Sequence, residues 1–159
     1  MKKLIITLFT ILLAVGGIFY INSQTEDGLL EELRILLTPD PMEINTYDEG
    51  ECTYYVFDKI AADNMMIERS WSDAEHWAER AKADDYTVNH SPKQGALIQT
   101  DRGDIGHVAY IEMVHDDGSF TVSEMNLNKP YEITERTISQ ENIEDYYYIH
   151  PKVNKHRTS

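Results

Sequence analysis

The chain has 159 residues with 28 acids against 14 bases, a formal net charge of −14, and a single cysteine. That length supports one compact domain with a genuine core, and ten Tyr, four Phe and two Trp argue against disorder. The charge excludes electrostatic attraction to nucleic acid or to anionic membrane and wall surfaces, and one cysteine excludes an internal disulfide or a multi-cysteine zinc site.

The N-terminus opens with Lys2 and Lys3, and Leu4 to Ile21 carries no charge. This stretch exceeds the usual apolar part of an export signal and, as a helix, nearly reaches across the hydrocarbon of a membrane. Acids follow at Glu26, Asp27, Glu31 and Glu32, so the basic end is expected inside and the remainder outside. Residues 1–24 are therefore read as a cleaved signal or a retained membrane anchor; no clear cleavage site separates the two. Residues 25–46 read as a helical linker or stalk: Leu29, Leu33, Leu36 and Leu37 recur at helical spacing until Pro39 and Pro41 close the segment.

From Tyr47 the pattern tightens. "CTYYVFDKIAAD" predicts an amphipathic helix with Tyr55, Val56, Lys59, Ile60 and Asp63 along one stripe and Cys52 at its start. "SWSDAEHWAERAKADD" predicts a second helix, capped by Ser70 or Ser72, with Trp71, Ala74, Trp77, Ala78 and Ala81 along its apolar side. Beyond "SPKQG" the chain alternates as strands do, in "ALIQT", "GHVAYIEMV", "SFTVSEMN", "ITERTIS" and "YYYIH". Helices followed by a run of antiparallel strands make an α+β domain over residues 47–150, with 151–159 as a C-terminal tail.

A lone cysteine is most often a small buried hydrophobe. At a helix start, however, free N–H groups and the helix dipole favour the thiolate. The hairpin shows which base can join it. Asp117-Gly118 is a two-residue turn signal, and that loop sets Ile111 opposite Glu124 and His107 opposite Asn128. A four-residue loop sets His107 opposite Asn126 instead. Either register gathers His107, Glu124 and Asn126 on one face of the sheet, and only a one-residue slip separates them. A nucleophile, a base and an orienting group (Glu124 or Asn126) fit the logic of a cysteine amidohydrolase. The remaining histidines (His76, His90, His115, His150 and His156) stand in polar or terminal contexts and are expected to be solvated.

In order and spacing, "GECTYYV", "WSDAEHWAERAKADDYTVN", "SPKQGALIQT", "GHVAYIEMV" and "VSEMN" resemble the CHAP family, the cysteine- and histidine-dependent amidohydrolases and peptidases of bacterial cell-wall hydrolases, nearest to its secretory-antigen type. The resemblance implies a papain-like α+β fold, Cys52 as nucleophile, His107 as general base and Glu124 as the third catalytic position, with Asn126 close by. It implies peptidoglycan as partner and substrate, cut between muramic acid and L-alanine or within the peptide, by an exported protein; a monomer is expected. Where the family usually has Gln before the cysteine, this chain has Glu51, which stands where an amide would help to bind the oxyanion. A domain that binds wall without cutting it is the alternative that Glu51 favours. No cofactor is expected; the acids Asp40, Glu43, Asp48 and Glu49 offer calcium oxygens, but their spacing matches no loop pattern.

Overall fold

The computed structural model describes residues 7, 8, 10–17, 20 and 28–158. Much of the segment read as a signal or anchor lies outside them, and among the described residues no helix is long and apolar enough to cross a membrane. The chain divides into two compact units, Met1–Asp40 and Pro41–Ser159. In the first, helix α1 (Leu29–Leu37) ends at Thr38, whose amide and hydroxyl both donate to the Arg34 carbonyl, at 3.0 and 2.8 Å.

The second unit holds helices α2 (Cys52–Ala62) and α3 (Trp77–Ala83), the latter preceded by a 3-10 turn over Ala74–His76. Its six-stranded antiparallel sheet contains β2 (Thr87–Asn89), β3 (Leu97–Thr100), β4 (His107–Val114), β5 (Phe120–Met125), β6 (Ile133–Ile138) and β7 (Tyr147–His150), in the order β2-β7-β3-β4-β5-β6. A small ribbon pairs β1 (Met65–Met66) with β8 (Lys152–Val153). The five expected strand segments all form, and the fold is the expected α+β architecture. Strand β2 escaped the sequence reading because three residues carry too little alternation to register.

Alternation along the strands divides the core into two layers. Leu97, Val108, Tyr110 and Ile149 face the helices, where Trp71, Trp77, Tyr86, Tyr47 and Phe57 meet ring against ring at centroid distances of 5.0–5.9 Å. Ile98, Ala109, Ile111, Phe120, Val122 and Ile138 form the opposite layer with Tyr146 and Tyr148, and Ile143 packs against it. Truncating either fully enclosed Trp is expected to cost about 3–5 kcal/mol.

Four expectations need correction. The α2 stripe is Cys52, Thr53, Val56, Phe57 and Ile60, so Phe57 is enclosed while Lys59 and Asp63 lie outside it. Neither serine caps the second helix: Ser72 has φ +63, and its carbonyl accepts from the Trp77 indole at 2.9 Å. The catalytic-type domain does not begin at residue 47, because Met42 is 2% exposed and belongs to the core. Nor is the C-terminal tail, expected over 151–159, separate from the domain. Asn154 is fully buried, and the Arg157 guanidinium donates to the Ala61 and Met42 carbonyls, both at 2.8 Å, closing the end of α2.

Candidate active site

Cys52 is the first residue of α2 and is 5% exposed. Before it, Glu51 is extended at φ −97°, ψ 157°, and its carbonyl accepts the first helical bond from the Tyr55 amide at 3.2 Å. The amides of Cys52, Thr53 and Tyr54 thus belong to the first turn, where no intrahelical acceptor exists. The thiol sits where a helix presents its donors.

His107 opens β4, and the chain reaches it through Gly106 at φ +71°. A Cβ at Gly106 would collide with the Glu75 backbone, and the Glu75 amide donates to the Ile105 carbonyl at 2.9 Å. The 3-10 turn therefore holds the strand entry in place, and only glycine permits that approach. Through Nε2 the His107 imidazole donates to Glu124 Oε2 at 2.9 Å, and the Cys52 side chain lies beside the ring. That leaves Nδ1 as the ring nitrogen free of the carboxylate. Burial works to lower the His107 pKa. The hydrogen bonds and charges of Cys52 and Glu124 outweigh it and raise the value to about 9, so the ring stays protonated at neutral pH.

The meeting of His107 with Glu124 depends on a bulge. The hairpin is not closed by a two- or four-residue loop: the His115 amide donates to the Ser119 carbonyl at 2.8 Å, enclosing a three-residue loop over 116–118. Val114 then faces Phe120 and Met113 faces Thr121. Continued unbroken, this is the one-residue slip that sends Glu124 to the wrong face. A bulge at Glu112 corrects it, so that Ile111 faces Val122 and Tyr110 faces Ser123. The Glu112 carboxylate is tied to Lys59 Nζ and to the Ser123 hydroxyl, both at 2.6 Å, which anchors the bulge to α2.

Glu124 is wholly buried, and Arg136 stands behind it, a residue that the sequence reading did not single out. Arg136 Nε donates to Oε1 at 2.6 Å and its terminal nitrogen to Oε2 at 3.3 Å. Burial pushes the Glu124 carboxyl up, but the bonds from His107 and Arg136 win and hold it below the usual range. The sequence did carry a signal. In "ITERTIS" Arg136 alternates with Ile138, so a lone base falls in register with a buried apolar residue; Arg136 faces Val122 and Ile138 faces Phe120.

Asn126 does not orient the imidazole. It leaves β5 at φ +60°, and its amide donates to Glu51 Oε2 at 2.6 Å. The structure thus joins Cys52, His107 and Glu124 in one chain of contacts and joins Asn126 to Glu51 in another. A cleft of about 460 Å³ opens over Glu51 and Cys52, walled by Tyr47, Asp48, Arg69, Asp73 and Ile105. Among the described residues, no three His, Cys, Asp or Glu side chains gather to hold a metal ion, and Glu43, Asp48 and Glu49 form no such set.

A thiol at a helix start, facing an imidazole on an antiparallel sheet, defines a papain-like α+β domain. The chain belongs to the CHAP domain family, whose model matches residues 42–126. A probable autolysin, SsaALP of Staphylococcus aureus, is 45% identical over 107 residues, covering 67% of this chain and 40% of its own. The staphylococcal secretory antigen SsaA of Staphylococcus epidermidis is 47% identical over 107 residues, with the same shares. Among solved structures, an N-acetylmuramoyl-L-alanine amidase from Staphylococcus aureus superposes with a TM-score of 0.63 at 34% identity, over 68% of this chain and 34% of that one. The chain thus spans about 40% of the length of these curated relatives.

Proposed function

We propose that this domain is a peptidoglycan hydrolase that cuts an amide bond by attack of the Cys52 thiolate. The observation that carries the reading is the His107 ring, held between Cys52 and the buried, Arg136-backed Glu124. A protonated imidazole beside a sulfur at a helix start is the arrangement of an activated cysteine nucleophile. The thiolate adds to the amide carbonyl carbon, and the new oxyanion lies on the first-turn amides of α2. His107 then gives its Nδ1 proton to the leaving amine, and a thioester remains on Cys52. Water, deprotonated by His107, attacks the thioester and returns the thiolate. Throughout, Glu124 accepts from Nε2–H and fixes the ring's tautomer.

Glu51 bears on how fast this runs. Its carboxylate lines the cleft beside the thiol but turns on to the Asn126 amide, and the backbone amides are left to bind the oxyanion. The similarity to a protein named autolysin, to secretory antigens and to a muramoyl-alanine amidase supports wall peptidoglycan as the substrate and a site of action outside the membrane.

The test is mass spectrometry of muropeptides released from purified walls. Wild type is expected to release defined fragments whose new ends identify the bond cut, and Cys52→Ala to lose at least roughly 10⁴-fold in rate. Equal release by the two proteins would end the hydrolase reading.

A further inference from the structure

We propose that Tyr131 is a saccharide platform, a binding surface for the sugar ring beside the amide to be cut. This rests on the hydrolase reading and deepens it by assigning a substrate subsite outside the cleft. Tyr131 sits in the loop between β5 and β6 and is 66% exposed. Its backbone has φ +66°, a left-handed conformation that an aromatic residue adopts only at a cost, and such strain clusters where function uses it.

The loop is clamped to the nucleophile segment. The Tyr131 amide donates to the Gly50 carbonyl at 3.1 Å, the Asn126 amide closes the base of the loop on the Glu132 carbonyl at 3.0 Å, and the Asn126 side chain holds Glu51 at 2.6 Å. The ring itself lies against Gly50, where a Cβ would stand 2.8 Å from two of its carbons. Gly50 thus serves twice, by taking φ +88° and by having no side chain where the ring rests.

The result is an aromatic ring backed by glycine, two residues before Cys52, with much of its surface left to solvent. Core packing does not require this, because the ring belongs to neither buried cluster. Nor is it a pocket for a side chain, because Tyr131 is not among the residues that wall the cleft. An open ring fits the flat C–H face of a pyranose. A neutral sugar also suits a chain of net charge −14, which gains nothing from charge on an anionic wall. In peptidoglycan the muramic acid ring adjoins the amide to L-alanine, and Tyr131 is clamped to Gly50 in the segment that leads into Cys52.

The experiment measures binding without turnover, so that it does not depend on hydrolysis. Full-length Cys52→Ala protein is titrated by calorimetry with a disaccharide-tetrapeptide and with the same tetrapeptide lacking both sugars. The sugar-bearing ligand is expected to bind roughly tenfold more tightly. Adding Tyr131→Ala or Tyr131→Gly should erase that difference and leave the tetrapeptide affinity in place, whereas Tyr131→Phe should keep it. Tyr131→Gly relieves the backbone strain, so its loss cannot be put down to misfolding. Equal affinity for the two ligands, binding of neither, or a difference that survives Tyr131→Gly would overturn the proposal. Muropeptide release by the wild type is scored separately: its absence beside an intact Tyr131-dependent difference sinks the hydrolase reading alone.

Discussion

Two walls of the site each carry a carboxylate, and they hold it in different ways. On the sheet wall Glu124 is fully buried between an imidazole and a guanidinium, so both oxygens are spoken for by charged donors. On the helix wall Glu51 lines an open cleft and takes one bond from a neutral amide. A buried carboxylate is tolerable only with such partners, because removing one leaves a charge with neither water nor counter-ion. The half-open carboxylate has solvent to fall back on. The sheet wall is therefore expected to be rigid and intolerant, and the helix wall adjustable.

Breaking the sheet wall should have the largest effect. Arg136→Met leaves Glu124 buried without its cation and should cost about 2–3 kcal/mol, less than a fully enclosed pair because the guanidinium is one-third exposed. Urea unfolding measures this. Turnover should fall roughly 10–100-fold as His107 loses its fixed partner, with Arg136→Lys restoring part of it. A variant as stable and active as wild type would show that Arg136 does not hold Glu124.

The pH dependence tests the same wall. The pKa of His107 is raised in the folded state to about 9, against about 6.5 unfolded. Its contribution to stability is therefore complete below about pH 6.5 and lost as pH rises through about 9, on the order of 2 kcal/mol in all. The rate should fall over the upper part of that window as the imidazolium loses its proton. Urea midpoints and rates collected from pH 6 to 10 should show both trends, and a stability that rises over that range would contradict the ion pair.

The helix wall should respond in the opposite sense. Glu51→Gln keeps an oxygen for the Asn126 amide and adds a donor beside the thiol, so turnover should rise by roughly tenfold. An unchanged rate would mean that residue 51 does not reach the oxyanion. Smallest is Gly50→Ala, which forces a left-handed alanine against the Tyr131 ring and should cost about 1–2 kcal/mol in thermal or urea unfolding. A neutral result would show that the ring moves freely off the glycine.

Much of the domain was legible because its signals are local. The apolar strand run of "GHVAYIEMV" and the helical spacing of Ala74, Trp77, Ala78 and Ala81 are written in neighbouring residues, whereas Trp71 lies before the helix, and Cys52 does begin its helix. The parts that were missed depend on contacts between distant segments. Arg136 gains meaning only when β6 lies beside β5, and Asn154 and Arg157 only when the C-terminus returns to α2. Turn chemistry by itself misleads at the hairpin, since the three-residue loop around Asp117-Gly118 separates His107 from Glu124 until the bulge intervenes.

By itself, then, the sequence determined the α+β class, the helix that begins at the thiol, the strands and the residue types available for catalysis. These follow from periodicity, caps and composition over a few residues each. The tertiary structure decided which of those residues act together. The bulge at Glu112, anchored by Lys59, chose the face on which Glu124 meets His107, and Arg136 made a buried carboxylate sustainable there. The loop at Tyr131 brought Asn126 to Glu51 rather than to the imidazole. Register, burial and the pairing of charges are properties of surfaces brought together by folding, and no short stretch of chain contains them.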